Sequence, residues 1–160
     1  MEPPKKQKNN DPKVALAKAE HYCAYQERSQ QEVRDKLYEW GLWPEAVENS
    51  ISELISTGFL NEERFAKAYA LGKFRQKAWG KIKIKQGLKL KKVPDVLIKK
   101  ALLLIDDDAY INTLNTILTK KAPSIKEKED YKRRYKLQQY AMSRGFESDI
   151  ILFVLKNSDL

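Results

Sequence analysis

One histidine, His21, and one cysteine, Cys23, are the chain's only imidazole and thiol. A zinc site needs several such ligands, and a hydrolytic triad needs an imidazole held between nucleophile and carboxylate, so single copies support neither. His21 reads as a helix-surface or packed residue, and Cys23 as a small buried hydrophobe. Asp106, Asp107 and Asp108 carry oxygens that suit Mg²⁺ or Ca²⁺. Consecutive residues point in different directions, however, and no EF-hand spacing follows, so a helix N-terminal cap is the better reading. Glu62 and Glu63 read the same way at the start of another helix. Gly80-Lys81 would belong to a phosphate-cradling loop only if glycine stood in place of Arg75. The residues therefore predict a protein with no catalytic group, metal or cofactor.

Binding chemistry is better represented. Between Lys73 and Lys92, KFRQKAWGKIKIKQGLKLKK, stand nine Lys or Arg residues, no Asp or Glu, and the aromatics Phe74 and Trp79. Like charges repel in a compact state, so a run of this kind points to a polyanionic or acidic partner. The plainer reading is a solvated helix face. Trp79, between Lys77 and Lys81, suits either base stacking or the core. A second cluster, Lys132, Arg133, Arg134 and Lys136, is diluted by Glu127, Glu129 and Asp130.

The net charge of +9 over 160 residues is unevenly spread. Residues 1–60 contribute −2, residues 61–106 contribute +9 and residues 107–160 contribute +2. A local patch, not general basicity, needs explaining. Hydrophobic residues make up 42%, enough for a folded chain with a real core. No segment approaches a membrane span, and the N-terminus lacks a signal peptide's apolar core. Without a disulfide framework, the expected compartment is the cytosol. Residues 1–13 are expected to be a disordered tail.

The elements that must position these charges read as helices. Ala15, Leu16, Ala19, Tyr22 and Cys23 mark the first. A Ser29-Glu32 capping box opens a second, which buries Val33 and Leu37 and stops at Gly41. Pro44 opens a third, burying Val47, Ile51, Leu54 and Ile55, with Gly58 at its end. Trp40, Trp43 and Tyr69 are expected between helices. Superposing Leu37 on Leu88 and Ala141 brings Gly41 onto Lys92 and Gly145, Leu42 onto Val93 and Phe146, and Val47 onto Ile98 and Ile151. The chain thus repeats. The expected fold is all-α, with three tandem three-helix repeats, at 14–60, 61–106 and 107–160, forming an elongated, curved array. Asn61 caps the first helix of the second repeat, and Pro94 opens its last. In the third, a helix over about 107–118 precedes a Ser124-Glu127 capping box and a long helix to Arg144.

KIKIKQGLKLKK also alternates with period two, as a small hairpin turning at Gln86-Gly87 would. The repeat register and the marginal stability of a lone two-stranded ribbon favour a helix. On a helix, Lys81, Lys85, Lys89 and Lys92 form a ridge beside Ile84 and Leu88. Lys83 and Lys91 lie elsewhere, while Arg75 and Lys77 extend the positive field.

The chain resembles the RecX family of bacterial recombination regulators. Gly58, Phe59, Leu60, Glu62, Glu63, Phe65 and Ala66 match its Gly-aromatic-Leu-acidic-acidic-x-Phe-Ala segment. Gly80, Ile84, Lys85 and Leu88 match Gly-x-x-x-Ile-basic-x-x-Leu, and Arg28-Ser29 fits the end of Arg-Pro-Arg-Ser. Departures are Gln26-Glu27 in place of Arg-Pro, Gly87 at a usually acidic position, Lys92 at a helix-ending glycine, and a third repeat that matches loosely. The resemblance implies a protein that binds the RecA recombinase filament on single-stranded DNA and restrains its ATP hydrolysis and strand exchange; the chain is expected to be a monomer and not an enzyme. The residues expected to meet the partner or nucleic acid are Lys73, Arg75, Lys77, Trp79, Lys81, Lys83, Lys85, Lys89, Lys92, Lys132, Arg133 and Arg134. The alternative is a general nucleic-acid-binding helical module unconnected with a recombinase.

Overall fold

The computed structural model describes residues 11–160, all of whose regular structure is helical. The helices are α1 (Pro12–Tyr25), α2 (Gln30–Glu39), α3 (Pro44–Ser56), α4 (Glu62–Lys77), α5 (Lys81–Leu90), α6 (Asp95–Leu102), α7 (Asp107–Lys121), α8 (Asp130–Ser143) and α9 (Ser148–Lys156), with a 3₁₀ turn at Ala122–Ser124. Of the expected tail, only residues 11–13 fall within the described chain. They are ordered, because Asp11 accepts from the Lys13 N–H and Pro12 takes the first turn of α1.

Local chemistry sets most other helix starts. Asn61 Oδ1 accepts from the Arg64 N–H at 2.9 Å, and Asp106 Oδ2 accepts from the Ala109 N–H at the same distance. At α2, Ser29 Oγ accepts from the Glu32 N–H at 3.0 Å, but the expected reciprocal half of the box is absent. Glu62 Oε2 instead accepts from the Gln30 N–H at 2.7 Å, and Glu32 pairs with Lys91 at 2.8 Å. Burial pushes the Glu62 carboxyl above its usual range, against the opposing pull of the Gln30 N–H.

The chain divides into two compact units, residues up to Ala66 with 91–93, and residues 67–90 with 94–160. In the first, α1, α2 and α3 pack on one another around Ala15, Ala19, Cys23, Val33, Leu37, Val47, Ile51 and Leu54. In the second, α5 packs on α6, while α7, α8 and α9 pack together. Its buried residues include Phe74, Ile84, Leu88, Ile98, Tyr110, Leu114, Leu137, Phe146 and Ile151.

Positions superposed in the sequence behave alike. Leu37, Leu88 and Ala141 are fully buried, as are Val47, Ile98 and Ile151 to within 1%. Gly41, Lys92 and Gly145 all have left-handed backbones, with φ of 97°, 59° and 94°. A lysine in this region is uncommon, since its Cβ crowds the following carbonyl. Lys92 lies beyond the end of α5, so it extends the basic run without standing on the helical ridge.

The helix expected over the lysine-rich stretch is present at 81–90, in place of the alternative hairpin. Two other expectations are corrected. Ile55 and Trp43 are 45% and 49% exposed, because the buried face of α3 is made by Val47, Ile51 and Leu54. Ser124 ends the 3₁₀ turn instead of capping α8, which starts at Asp130. The Arg133 guanidinium holds this connection by donating to the carbonyls of Ala122 (3.0 Å), Ile125 (3.1 Å) and Leu160 (3.3 Å).

Candidate nucleic-acid and partner interface

The basic surface is built outward from the N-terminus of α5. The first turn of a helix has N–H groups with no partner in its own helix. Here Gly80 N–H donates to the Arg144 carbonyl at 2.8 Å and Ile82 N–H to the Gly145 carbonyl at 2.9 Å, at the C-terminal end of α8. Lys81 N–H donates to the Tyr110 hydroxyl at 2.9 Å, and that hydroxyl donates to the Glu147 carboxylate. Burial, reinforced by Glu147, holds the Tyr110 phenol far above its ordinary pKa, so it stays protonated and donates. Arg144 closes the arrangement by donating to the Lys77 carbonyl. A Cβ on Gly80 would stand 2.3 Å from the Gly145 carbonyl carbon and oxygen, so only glycine permits this approach.

From that anchor α5 runs with Ile84 and Leu88 fully buried and Lys85 and Lys89 exposed. Lys89 meets only the exposed Asp95, at 3.9 Å. Lys81 leans over the Tyr110 ring, with Nζ 4.9 Å from its centroid. Lys73 from α4 and Lys83 from α5 both lie over Trp79, at 4.9 and 4.7 Å. The Trp79 indole is half-buried, with both ammonium groups over its ring. Arg75 and Lys77 stand exposed at the end of α4. Gly87 faces Tyr69, whose hydroxyl would lie 2.0 Å from an added Cβ.

The second cluster divides. Arg133 is committed to the three carbonyls already described. Lys132 pairs with Glu129 at 3.6 Å and Lys136 with Glu127 at 3.0 Å, while Arg134 is exposed. Beside them Tyr131 and Tyr135 are exposed on α8, a feature the sequence reading missed although their i, i+4 spacing amid basic residues was visible. The latch of Tyr110 and Glu147 on α5 had no local signal.

The remaining candidates for chemistry are structural. His21 is exposed on α1, and Cys23 is buried, with its thiol pushed up by that burial, which disfavours the reactive thiolate. Among the described residues there is no group of three His, Cys, Asp or Glu that could hold a metal, and no helix long and apolar enough to cross a membrane.

The described helices coincide with three family models. The first, second and third three-helix domains of RecX match residues 15–54, 61–102 and 108–155. The regulatory protein RecX of Prosthecochloris aestuarii (strain DSM 271 / SK 413) is 33% identical over 143 residues, covering 89% of this chain and 92% of its own. The chain belongs to the RecX family. A second RecX relative, from Haemophilus influenzae (strain PittGG), is 32% identical over 127 residues and covers 79% of this chain and 82% of its own. The crystal structure of RecX from Lactobacillus salivarius superposes with a TM-score of 0.84 at 25% identity, covering 91% of this chain and 95% of that one. Family and fold are thereby fixed: an all-helical regulatory protein with three RecX three-helix domains.

Proposed function

We propose that this RecX-family chain binds the RecA recombinase filament on single-stranded DNA and restrains its ATP hydrolysis and strand exchange, tempering recombination and DNA repair. It acts in the cytoplasm, as a monomer, by occupancy and not by turnover. The observation that carries this reading is the cationic surface of α4 and α5, free of acidic residues between Lys73 and Lys92. Lys81, Lys85 and Lys89 form its ridge, and Lys73, Arg75, Lys77 and Lys83 widen it, while Lys92 continues the basic run along the sequence beyond α5. Lys132 and Arg134 add a second point of contact, whereas Arg133 is occupied internally. Trp79 serves by gathering Lys73 and Lys83.

A filament of protein on nucleic acid offers both phosphates and acidic side chains to such a surface. The competing reading is a nucleic-acid-binding module with no recombinase partner. Binding to bare single-stranded DNA and to assembled RecA filaments, compared at matched ionic strength, separates the two. The proposal expects a marked preference for filaments, and equal affinity would favour the module.

A further inference from the structure

We infer that the outward face of α8 is a stacking site for the bases of single-stranded nucleic acid, with Tyr131 and Tyr135 as platforms and Arg134, Lys132 and Lys136 as the cations that track the backbone. Tyr131 and Tyr135 are 68% and 60% exposed, unlike the half-buried Tyr69 or the buried Tyr110. One helical turn separates them, which sets both rings on the same side of α8. Together with these cations, and with Glu127 and Gln138, they line an open concavity of about 610 Å³. Two large exposed aromatics one turn apart, among the basic residues of the first half of α8, present flat apolar faces, and every nucleobase has a matching one.

The surrounding charge selects the same partner. Lys132 faces the exposed Glu129 at 3.6 Å, and Lys136 the partly exposed Glu127 at 3.0 Å. Such solvent-exposed pairs are weak and exchange readily for phosphate. Arg134 has no ion pair among the described residues, and an arginine can both stack on a base and grip a phosphate. The site is separate from the lysine ridge of α5; it deepens the second point of contact proposed for Lys132 and Arg134 and rests on that reading, assigning it to an unpaired strand.

The full chain is titrated with a fluorescent oligothymidylate of about 12 nucleotides, a length within the reach of such sites, and with an abasic phosphodiester strand of the same length. Changing Tyr131 and Tyr135 together to Ala is expected to weaken binding to the thymidylate about ten- to a hundredfold, while leaving the abasic strand and the salt dependence unchanged. The Y131F/Y135F variant, which keeps the rings, is expected to bind as the parent does. Unaltered thymidylate affinity in the Ala variant, an equal loss on both strands, or an equal loss with Phe would each overturn the inference. So would a loss of self-association in sedimentation without a change in strand binding, which would assign the face to a second copy. Reversing Lys81, Lys85 and Lys89 should lower the salt dependence on both strands yet keep the gap between them, so failure of this inference and failure of the proposed recombinase contact give different results.

Discussion

α2 and α5 stand at equivalent places in the first and second three-helix domains, and they bury the same apolar pair: Val33 and Leu37 in one, Ile84 and Leu88 in the other, all without exposure. Their remaining side chains are spent differently. In α2 the charges are matched, with Arg34 gripping Glu48 at 2.8 Å, Lys36 near Glu39 at 3.3 Å, and Glu32 on Lys91. In α5 the lysines lie over aromatic rings, stand in water, or reach one exposed aspartate. The starts differ too. α2 is capped by the side chains of Ser29 and Glu62, α5 by two backbone carbonyls at the end of α8 together with the Tyr110 hydroxyl. Two buried positions per helix suffice to specify the packing, which leaves the outward positions free to be neutral in one copy and cationic in the next.

The difference in capping predicts the largest effect. Gly80→Ala drives a Cβ into the backbone of Gly145 and should cost about 3 kcal/mol, read as a lower urea midpoint with unchanged slope. Ser29→Ala removes one side-chain cap and should cost about 1 kcal/mol. Equal losses would mean that the two helix starts are held alike, contrary to their geometry. At the helix ends, Lys92 holds the left-handed backbone that Gly41 adopts in the first domain. Lys92→Gly should therefore stabilise by about 0.5–1 kcal/mol, the relieved strain being partly offset by the greater freedom of glycine in the unfolded chain.

The smallest effect concerns Glu62, whose carboxyl burial raises above its unfolded value. A raised carboxyl pKa favours the folded state below the unfolded pKa, and that contribution fades as pH rises through the folded one. Moving from about pH 4 to about pH 7, the stability of Glu62→Gln should shift upward relative to the parent. The opposite drift in paired thermal melts would show that the carboxylate's bond to the Gln30 N–H outweighs its burial.

Much of this was legible in the sequence because its determinants are local or periodic. The i, i+3, i+4 spacing of Ile84 and Leu88 against that of Val33 and Leu37 identified α5 as a helix despite its alternating look. The acid-free run located the charge. What escaped was long-range. Nothing near Lys81 announces Tyr110, 29 residues away, or the Glu147 that holds the Tyr110 hydroxyl. Ser124 reads as a cap until Arg133 is seen drawing the carbonyls on either side of it. Trp43 and Ile55 read as inward from hydrophobic type alone, yet much of any folded surface is apolar.

The proposed function rests on the lysines of α5, not on the basic residues of α2. Its most direct test is inhibition of RecA filament ATPase by a variant in which Lys81, Lys85 and Lys89 are all changed to Glu, alongside one carrying Arg34→Ala and Lys36→Ala, with helicity and melting checked for both. The α5 variant is expected to stay folded and lose inhibition, while the α2 variant inhibits as the parent does. A folded α5 variant that inhibits ATP hydrolysis at parental concentrations would contradict it.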